Sequence, residues 1–149
     1  MSTQIRPRTR RARAAGRVSV VLAFVVLAAC TKPSPGVTLQ SGTKSVRAEA
    51  TYYERDGKQV RTSDEVTVLK THPGSTVGVD VDRDLAAKGW QVHITTGTDG
   101  ANVFNSGVLK NHHYSFEVGA TVTEVVISEL GGSGRPTGLW AFQIQPTLQ

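Results

Sequence analysis

The sequence predicts an all-β protein, with a single immunoglobulin-like β-sandwich of seven or eight short strands and one short helical crossover. From Val37 onward apolar and polar residues mostly alternate, which is the period of a half-buried strand. Turn residues such as Asp56-Gly57 interrupt this alternation at intervals of roughly 8–12 residues. The chain of 149 residues suits one ordinary domain and leaves little room for a second.

The strands are predicted from the alternation, in chain order. The first clear one covers residues 46–53, with Val46, Ala48, Ala50 and Tyr52 expected on the buried face. Val66 and Val68, which alternate with Glu65 and Thr67, predict the next. Val103-Phe104 predicts a short strand. Four other strands are predicted by alternating sets: Val77, Val79 and Val81; Trp90, Val92 and Ile94; Tyr114, Phe116 and Val118; Trp140, Phe142 and Ile144. The apolar residues Val122 and Val125 to Ile127 predict one more.

One segment departs from the strand pattern. Residues 82–89 fit one or two helical turns, with Asp84 able to cap the start and Gly89 able to adopt the left-handed conformation at the end. A helical turn between two strands is typical of a crossover between the two sheets of a sandwich. Trp90 opens the second of these strands and is predicted to lie in the core.

The positive charge is confined to the beginning of the chain. The formal net charge is +5, but six of the 17 basic residues precede residue 18 and the first acidic residue is Glu49. From Cys30 onward 11 basic residues stand against 12 acidic ones. The basic pI therefore belongs to the N-terminal segment, and the sequence predicts no nucleic-acid partner for the domain.

The N-terminal segment has the features of a secretory signal. The arginines are followed by the apolar run 18–28, which at eleven residues is too short to span about 30 Å of hydrocarbon. The run ends in Leu27-Ala28-Ala29-Cys30, which resembles the lipobox of bacterial lipoproteins. The resemblance implies cleavage between Ala29 and Cys30 and attachment of diacylglycerol to the Cys30 thiol. Cys30 is the only cysteine, so a disulfide within the chain is excluded.

These features predict three regions. Residues 1–29 form a cleaved lipoprotein signal peptide, residues 30–36 the lipidated cysteine and a tether, and residues 37–149 the β-sandwich domain. The tether is predicted from Pro33, Pro35 and Gly36, which favour neither helix nor sheet. The expected location is the extracytoplasmic side of the cell membrane, with the diacylglyceryl-cysteine as the membrane anchor.

The strongest candidate for a metal site is the run Asp80, Asp82 and Asp84. Three carboxylates at alternate positions of a strand point the same way, and Ca²⁺ prefers such oxygen clusters. The spacing matches the start of an EF-hand loop, but Leu85 and Gln91 stand where that loop needs Gly and Glu. A solvated strand face leading into a helix is the simpler interpretation, and no metal cofactor is predicted.

No catalytic centre is predicted either. The histidines are interpreted as exposed loop residues, because adjacent His112 and His113 would face opposite sides of a strand and the only thiol is assigned to lipidation. Ser133 lies in Gly131-Gly-Ser-Gly134, which lacks both the G-x-S-x-G spacing and a following helix. That segment is interpreted as a flexible connection before the last strand. The protein is predicted not to be an enzyme.

Several segments of the chain resemble one family. They are Cys30-Thr-Lys-Pro-Ser-Pro35, Ser45-Val-Arg-Ala-Glu-Ala50, Val79-Asp-Val81 before Gly89-Trp90, and Gly138-Leu-Trp-Ala-Phe-Gln-Ile144. From Cys30 to the C-terminus the chain is similar to small lipoproteins of actinobacteria whose domain has no assigned function. The resemblance implies a cell-surface location and carries over no catalytic residue.

Two hypotheses of function follow. The first is a lipid-anchored, non-enzymatic binding and interaction module at the outer face of the cytoplasmic membrane, with an envelope protein or a cell-wall polymer as its partner. The alternative is a carrier of a small ligand or a metal ion, Ca²⁺ or Zn²⁺, bound by the aspartates or the histidines.

Overall fold

Two β-sheets pack against each other in the computed structural model, which describes residues 33–97 and 102–147. These residues belong to the second of the two units into which the chain divides, Lys32–Gln149. The elements, in chain order, are β1 (Val37–Ser41), β2 (Lys44–Ala48), β3 (Tyr52–Arg55), β4 (Lys58–Thr62), β5 (Thr67–Thr71), β6 (Thr76–Val81), α1 (Arg83–Lys88), β7 (Trp90–Thr96), β8 (Asn102–Asn105), β9 (His113–Glu117), β10 (Thr123–Leu130) and β11 (Pro136–Pro146).

The smaller sheet has the strand order β2-β1-β6-β9, and all its pairs are antiparallel. The larger sheet has the order β4-β3-β11-β10-β7-β8. Strand β5 also pairs with β11 in the larger sheet, on the edge of β11 where β3 pairs. It lies further along β11 than β3 and runs parallel to β11. This parallel pair is the exception to the antiparallel pattern. The predicted all-β sandwich is confirmed, with eleven strands in the described residues rather than seven or eight.

The core lies between the two sheets and is formed by residues at alternate strand positions. The smaller sheet contributes the buried side chains Val37, Leu39, Val77 and Val79, among others. The larger sheet contributes Trp90, Val92, Val125, Ile127, Trp140, Phe142 and Ile144, all essentially inaccessible to solvent. Trp90 is therefore in the core, as the alternation predicted.

The helix α1 connects the two sheets, because it follows β6 of the smaller sheet and precedes β7 of the larger one. The predicted crossover is thus confirmed. The predicted cap is wrong: the N-cap residue is Asp82, without a side-chain capping hydrogen bond, and Asp84 lies inside the first turn. Gly89 ends the helix with a φ of 102°, a conformation that favours glycine.

The predicted strand over residues 46–53 is two strands in different sheets. β2 ends at Ala48 in the smaller sheet, and β3 begins at Tyr52 in the larger one. The chain changes sheet between them, and the alternation shifts by one residue, so Tyr53 is buried where Tyr52 was predicted to be. A similar shift occurs in β5, where Val66 and Val68 are exposed and Leu69 is buried.

The Asp56-Gly57 turn joins β3 to β4, as its composition predicted. Both residues have positive φ, 52° and 73°, and Arg55 pairs with Lys58 across the turn. This is the geometry of a two-residue type I′ hairpin, which only residues such as Asp, Asn and Gly adopt readily. The turn fixes one wall of the groove described next.

Candidate ligand-binding groove

An open groove of about 1030 Å³ lies at one end of the sandwich. Four segments line it: residues 33–35, the β3–β4 turn, α1, and the connection from β10 to β11. We call this site the end-groove. Because its walls come from turns and a short helix held by both sheets, the sandwich fixes its shape while the turns determine its chemistry.

The segment that leads into β1 is attached to the domain at this end. The Ala50 backbone N–H donates to Ser34 Oγ at 3.1 Å, and the Trp140 indole Nε1–H donates to the Pro35 carbonyl at 2.9 Å. The Gly36 N–H donates to Asp82 Oδ2 at 2.7 Å. Residues 33–36, which the sequence assigns to the tether, thus include three residues that hydrogen-bond directly to the sandwich.

Pro33 is the first described residue, and its carbonyl accepts a hydrogen bond of 3.1 Å from Arg55 Nη2. Arg55 is the last residue of β3, and it also lies over the Tyr53 ring, with 5.7 Å between the guanidinium carbon and the ring centroid. Residues 33–35 form the groove wall that is nearest to Cys30 in sequence, and direct hydrogen bonds therefore hold this wall in place.

Glu129 is the unusual residue of the end-groove. It occupies an inward-facing position of β10, two residues after the buried Ile127, and its side chain is only 1% exposed. Its Oε1 accepts hydrogen bonds from Lys88 Nζ at 2.8 Å and from Thr137 Oγ1 at 2.9 Å. Among the described residues, Glu129 Oε2 is the buried side-chain polar atom that has no hydrogen-bond partner.

A buried carboxylate oxygen without a donor is costly, because its lost hydration is not replaced. Such atoms are rare in folded proteins and need an explanation. A ligand or an ordered water that donates a hydrogen bond supplies one. Glu129 and Lys88 both line the end-groove, so the residue that carries this oxygen belongs to the wall of the site.

Lys88 bridges Glu129 and Tyr53. Its Nζ lies 3.4 Å from the Tyr53 hydroxyl and 5.7 Å from the centroid of the Tyr53 ring. Burial lowers the pKa of Lys88, but the hydrogen bond and the negative charge of Glu129 outweigh burial, and the pKa is raised above its ordinary value. Lys88 is thus a cation at neutral pH, while its side chain remains 49% exposed toward the groove.

Two more ion pairs lie along the groove. Arg47 Nη2 is 3.2 Å from Asp82 Oδ2, and Arg135 Nη2 is 2.5 Å from Glu54 Oε2. The Tyr52 hydroxyl also donates to Glu54, and this hydrogen bond is the main reason that the pKa of Tyr52 is raised. The lining contains four basic and five acidic side chains, so positive and negative groups are nearly balanced.

The three aspartates of the candidate metal site do not form one cluster in the structure. Asp80 Oδ1 is 2.8 Å from His113 Nδ1, whereas Asp82 binds Arg47 and the Gly36 backbone. Asp84 lies on α1 and lines the end-groove. In residues 33–97 and 102–147, no group of three or more His, Cys, Asp or Glu side chains is arranged to hold a metal ion.

The histidines are dispersed in the fold. His72 contacts the Thr147 carbonyl, and His93 lies 3.3 Å from Ser128 Oγ. His112 is exposed, and His113 begins β9 rather than forming part of a turn. Only His113 contacts another candidate residue, Asp80.

Ser133 lies in an exposed turn, as predicted for the connection from β10 to β11. The Gly134 N–H donates to the Gly131 carbonyl at 2.8 Å, which closes the turn. Ser133 lies on the exposed rim of the end-groove.

The lipidation and cleavage site, Ala29 and Cys30, lies outside the described residues. Within the described part of the chain, no helix is both long and apolar enough to cross a membrane. The prediction of a lipid anchor therefore still rests on the sequence.

Sequence reasoning missed Glu129, the most informative residue of the site. The signal was present, because Glu129 continues the inward-facing positions Val125 and Ile127 of the same strand. A carboxylate at such a position predicts either a buried ion pair or a site. Lys88 and Thr137 could not be assigned as its partners, since they are distant in sequence and only the fold brings them together.

Comparison with known proteins adds no relative: no family model matches the chain, and no curated protein matches it. The similarity to small actinobacterial lipoproteins remains a prediction from the sequence.

Proposed function

We propose that the protein is a lipid-anchored protein of the bacterial cell envelope, held through Cys30 at the outer face of the cytoplasmic membrane. It acts as a non-enzymatic binding module, and the end-groove is its binding site. The ligand is a polar molecule that donates a hydrogen bond to Glu129. The observation that carries the binding function is the buried Glu129 carboxylate, which has one oxygen without a partner in the wall of an open groove.

The composition of the groove supports a polar ligand. Its walls carry charged side chains of both signs in nearly equal number, which suits a ligand that is neutral or zwitterionic rather than strongly charged. The docked segment 33–36 supports the same site, because it forms one wall and keeps it in place.

The anchor is tested in a bacterial host that processes lipoproteins. The full chain should incorporate an alkyne-labelled fatty acid and appear in the membrane fraction. A Cys30→Ala variant should lose the label and leave that fraction, since an acyl chain contributes about 0.8 kcal/mol of membrane affinity per buried methylene. Absence of the label from the unsubstituted protein would contradict the proposed anchor.

The groove is tested with residues 31–149, because Lys32–Gln149 is a unit with its own core. Ethanolamine and glucosamine serve as donor-bearing probes, and amide chemical shifts in NMR spectra report binding. The shifts should concentrate at α1, the β3–β4 turn and residues 131–135. Glu129→Gln should reduce them strongly, whereas Glu124→Gln, on the exposed face of the same strand, should not. Equal shifts in both variants would exclude Glu129 as the binding group.

A further inference from the structure

We infer that the end-groove opens onto the membrane surface and that its ligand is a phospholipid headgroup with a primary ammonium beside the phosphate. This inference rests on the proposed lipid anchor at Cys30 and deepens the proposed binding function by naming the class of ligand and its source.

The first argument is the reach of the chain. Pro33 lines the end-groove and is held there by Arg55, while Gly36 and Pro35 are held by Asp82 and Trp140. Only three residue steps separate Pro33 from Cys30. Even fully extended, they span about 11 Å. A diacylglyceryl group on Cys30 therefore keeps this end of the sandwich close to the headgroups.

The second argument is direction. From the docked segment, β1 leads away from the end-groove to the turn at Gly42-Thr43. Five strand residues advance about 14 Å from the first to the last Cα. The two ends of the sandwich are thus at different distances from the anchor, and the end with the groove is the nearer one.

The third argument is the chemistry of the groove. Arg47 and Arg135 each pair with one carboxylate through Nη2, but their side chains are 60% and 64% exposed, and their other N–H groups are suited to a phosphate. The buried, unpartnered oxygen of Glu129 is suited to an ammonium N–H. Lys88 already occupies Oε1, and a carboxylate readily accepts donors on both oxygens. A zwitterionic headgroup presents both partners within one small molecule, which matches the nearly balanced lining.

The hydrogen-bond requirement distinguishes two common headgroups of equal net charge. Ethanolamine carries N–H donors, whereas choline is a quaternary ammonium without any. If Glu129 Oε2 is the acceptor, binding should favour ethanolamine over choline. A groove that responded to charge alone would accept both equally.

The orientation is tested with the full, membrane-bound chain. Because Cys30 is consumed by its thioether, an introduced cysteine is the only free thiol. Ser133→Cys places it on the rim of the end-groove, and Thr43→Cys places it in the exposed turn at the other end of β1. In membranes, a bulky maleimide-polyethylene glycol should label the Ser133→Cys variant several-fold more slowly than the Thr43→Cys variant. The difference should vanish in detergent.

A third variant tests whether the docked segment is responsible for the slow labelling of residue 133. Asp82→Ala removes the acceptor that holds Gly36, so combining it with Ser133→Cys should increase the labelling rate in membranes. Equal labelling of the two single-cysteine variants in a protein that is acylated would overturn the orientation. An unacylated protein would instead contradict the proposed anchor, so the two failures are distinct.

The ligand is tested on residues 31–149 with glycerophosphoethanolamine, glycerophosphocholine and inorganic phosphate. Glycerophosphoethanolamine should shift the amide signals of the end-groove at concentrations where the other two do not, and Glu129→Gln should remove this preference. Vesicles that contain the ethanolamine headgroup should compete with the free compound if the lipid is the source. Equal responses to the ethanolamine and choline compounds, or a response to phosphate alone, would overturn the assignment.

Discussion

Glu129 lines the end-groove, and the burial of its carboxylate lowers the stability of the fold. The strand alternation of β10 puts the apolar side chains of Val125 and Ile127 at the two inward positions before Glu129, and an apolar residue at 129 would avoid desolvating a carboxylate. The chain instead provides Lys88 and Thr137 for one oxygen and none of its described residues for the other. A residue that costs stability and lies in a groove is a candidate for a binding role, because functional sites often trade stability for activity.

The cost of the buried pair gives a first prediction. Lys88→Met leaves Glu129 buried without its cation and should lower the free energy of unfolding by about 1–2 kcal/mol, less than for a fully buried pair because Lys88 is half solvated. Replacing both residues by Met should restore stability to at least the original value, since an apolar pair carries no desolvation cost. Chemical denaturation measures both. A double variant less stable than Lys88→Met would contradict this account.

The same pair predicts a dependence on pH. The folded-state pKa of Lys88 is raised above 10.5, so its contribution to stability is fully present below that value and is lost as pH rises through the folded pKa. The difference in unfolding free energy between the original protein and Lys88→Met should therefore be constant from neutral pH to about pH 10 and decrease above it. A difference that decreased already between pH 6 and 8 would point to another group.

Gly138 gives a prediction about packing. It pairs with Glu129 and Tyr53, and a Cβ there would lie 2.7 Å from the buried Trp140 ring. Gly138→Ala should displace the indole and destabilise the domain by about 1–3 kcal/mol. Gly132→Ala is the control, since its Cβ would meet no atom within 4 Å. Thermal unfolding compares them, and equal midpoints would show that the ring can move without cost.

At the scale of elements, the segment 33–36 is docked on the domain by hydrogen bonds. Its prolines favour neither helix nor sheet, as the sequence predicted. Two of its carbonyls accept hydrogen bonds from β3 and β11, and the Gly36 N–H donates to Asp82, the residue before α1. Residues 33–36 therefore form neither helix nor strand but are held by specific hydrogen bonds. Of the six residues predicted as tether after Cys30, only Thr31 and Lys32 lie between the anchor position and the docked segment.

This attachment depends on Asp82 and can be tested locally. Asp82→Ala should increase the hydrogen-exchange rate of the Gly36 amide, because the hydrogen bond that protects it is lost. The domain as a whole should lose only about 0.5–3 kcal/mol, the range for one charge-assisted hydrogen bond. Asp64→Ala, at an exposed loop position, is the control. Unchanged exchange at Gly36 would show that the remaining contacts suffice to hold the segment.

The crossing between sheets at residues 49–51 shows why strand patterns mislead at this scale. Period-two alternation continues through Ala48 and Ala50, so the sequence reads as one strand. A change of sheet shifts the inward positions by one residue, and Tyr53 becomes buried against Trp140, with 6.2 Å between ring centroids. Without knowledge of the partner strands this shift cannot be read from the pattern.

At the scale of the whole molecule, the two sheets share one core and should unfold together. Trp90 and Trp140 are both buried in it, so the change in their fluorescence should coincide with the loss of far-ultraviolet circular dichroism in residues 31–149. Separate midpoints for the two signals would show that part of the sandwich unfolds independently.

The sequence by itself determined the all-β sandwich, the helical crossover and the buried Trp90, because alternation, turn residues and a helix-compatible run are local properties. It also predicts the anchor at Cys30, which depends on a contiguous motif. Only the tertiary structure decided the strand count, the parallel β5–β11 pair, the attachment of residues 33–36 and the place of Glu129 between Lys88 and Thr137. These features depend on contacts between residues that are distant in the chain, and side-chain packing and hydrogen bonds select such partners only once the sheets are in place.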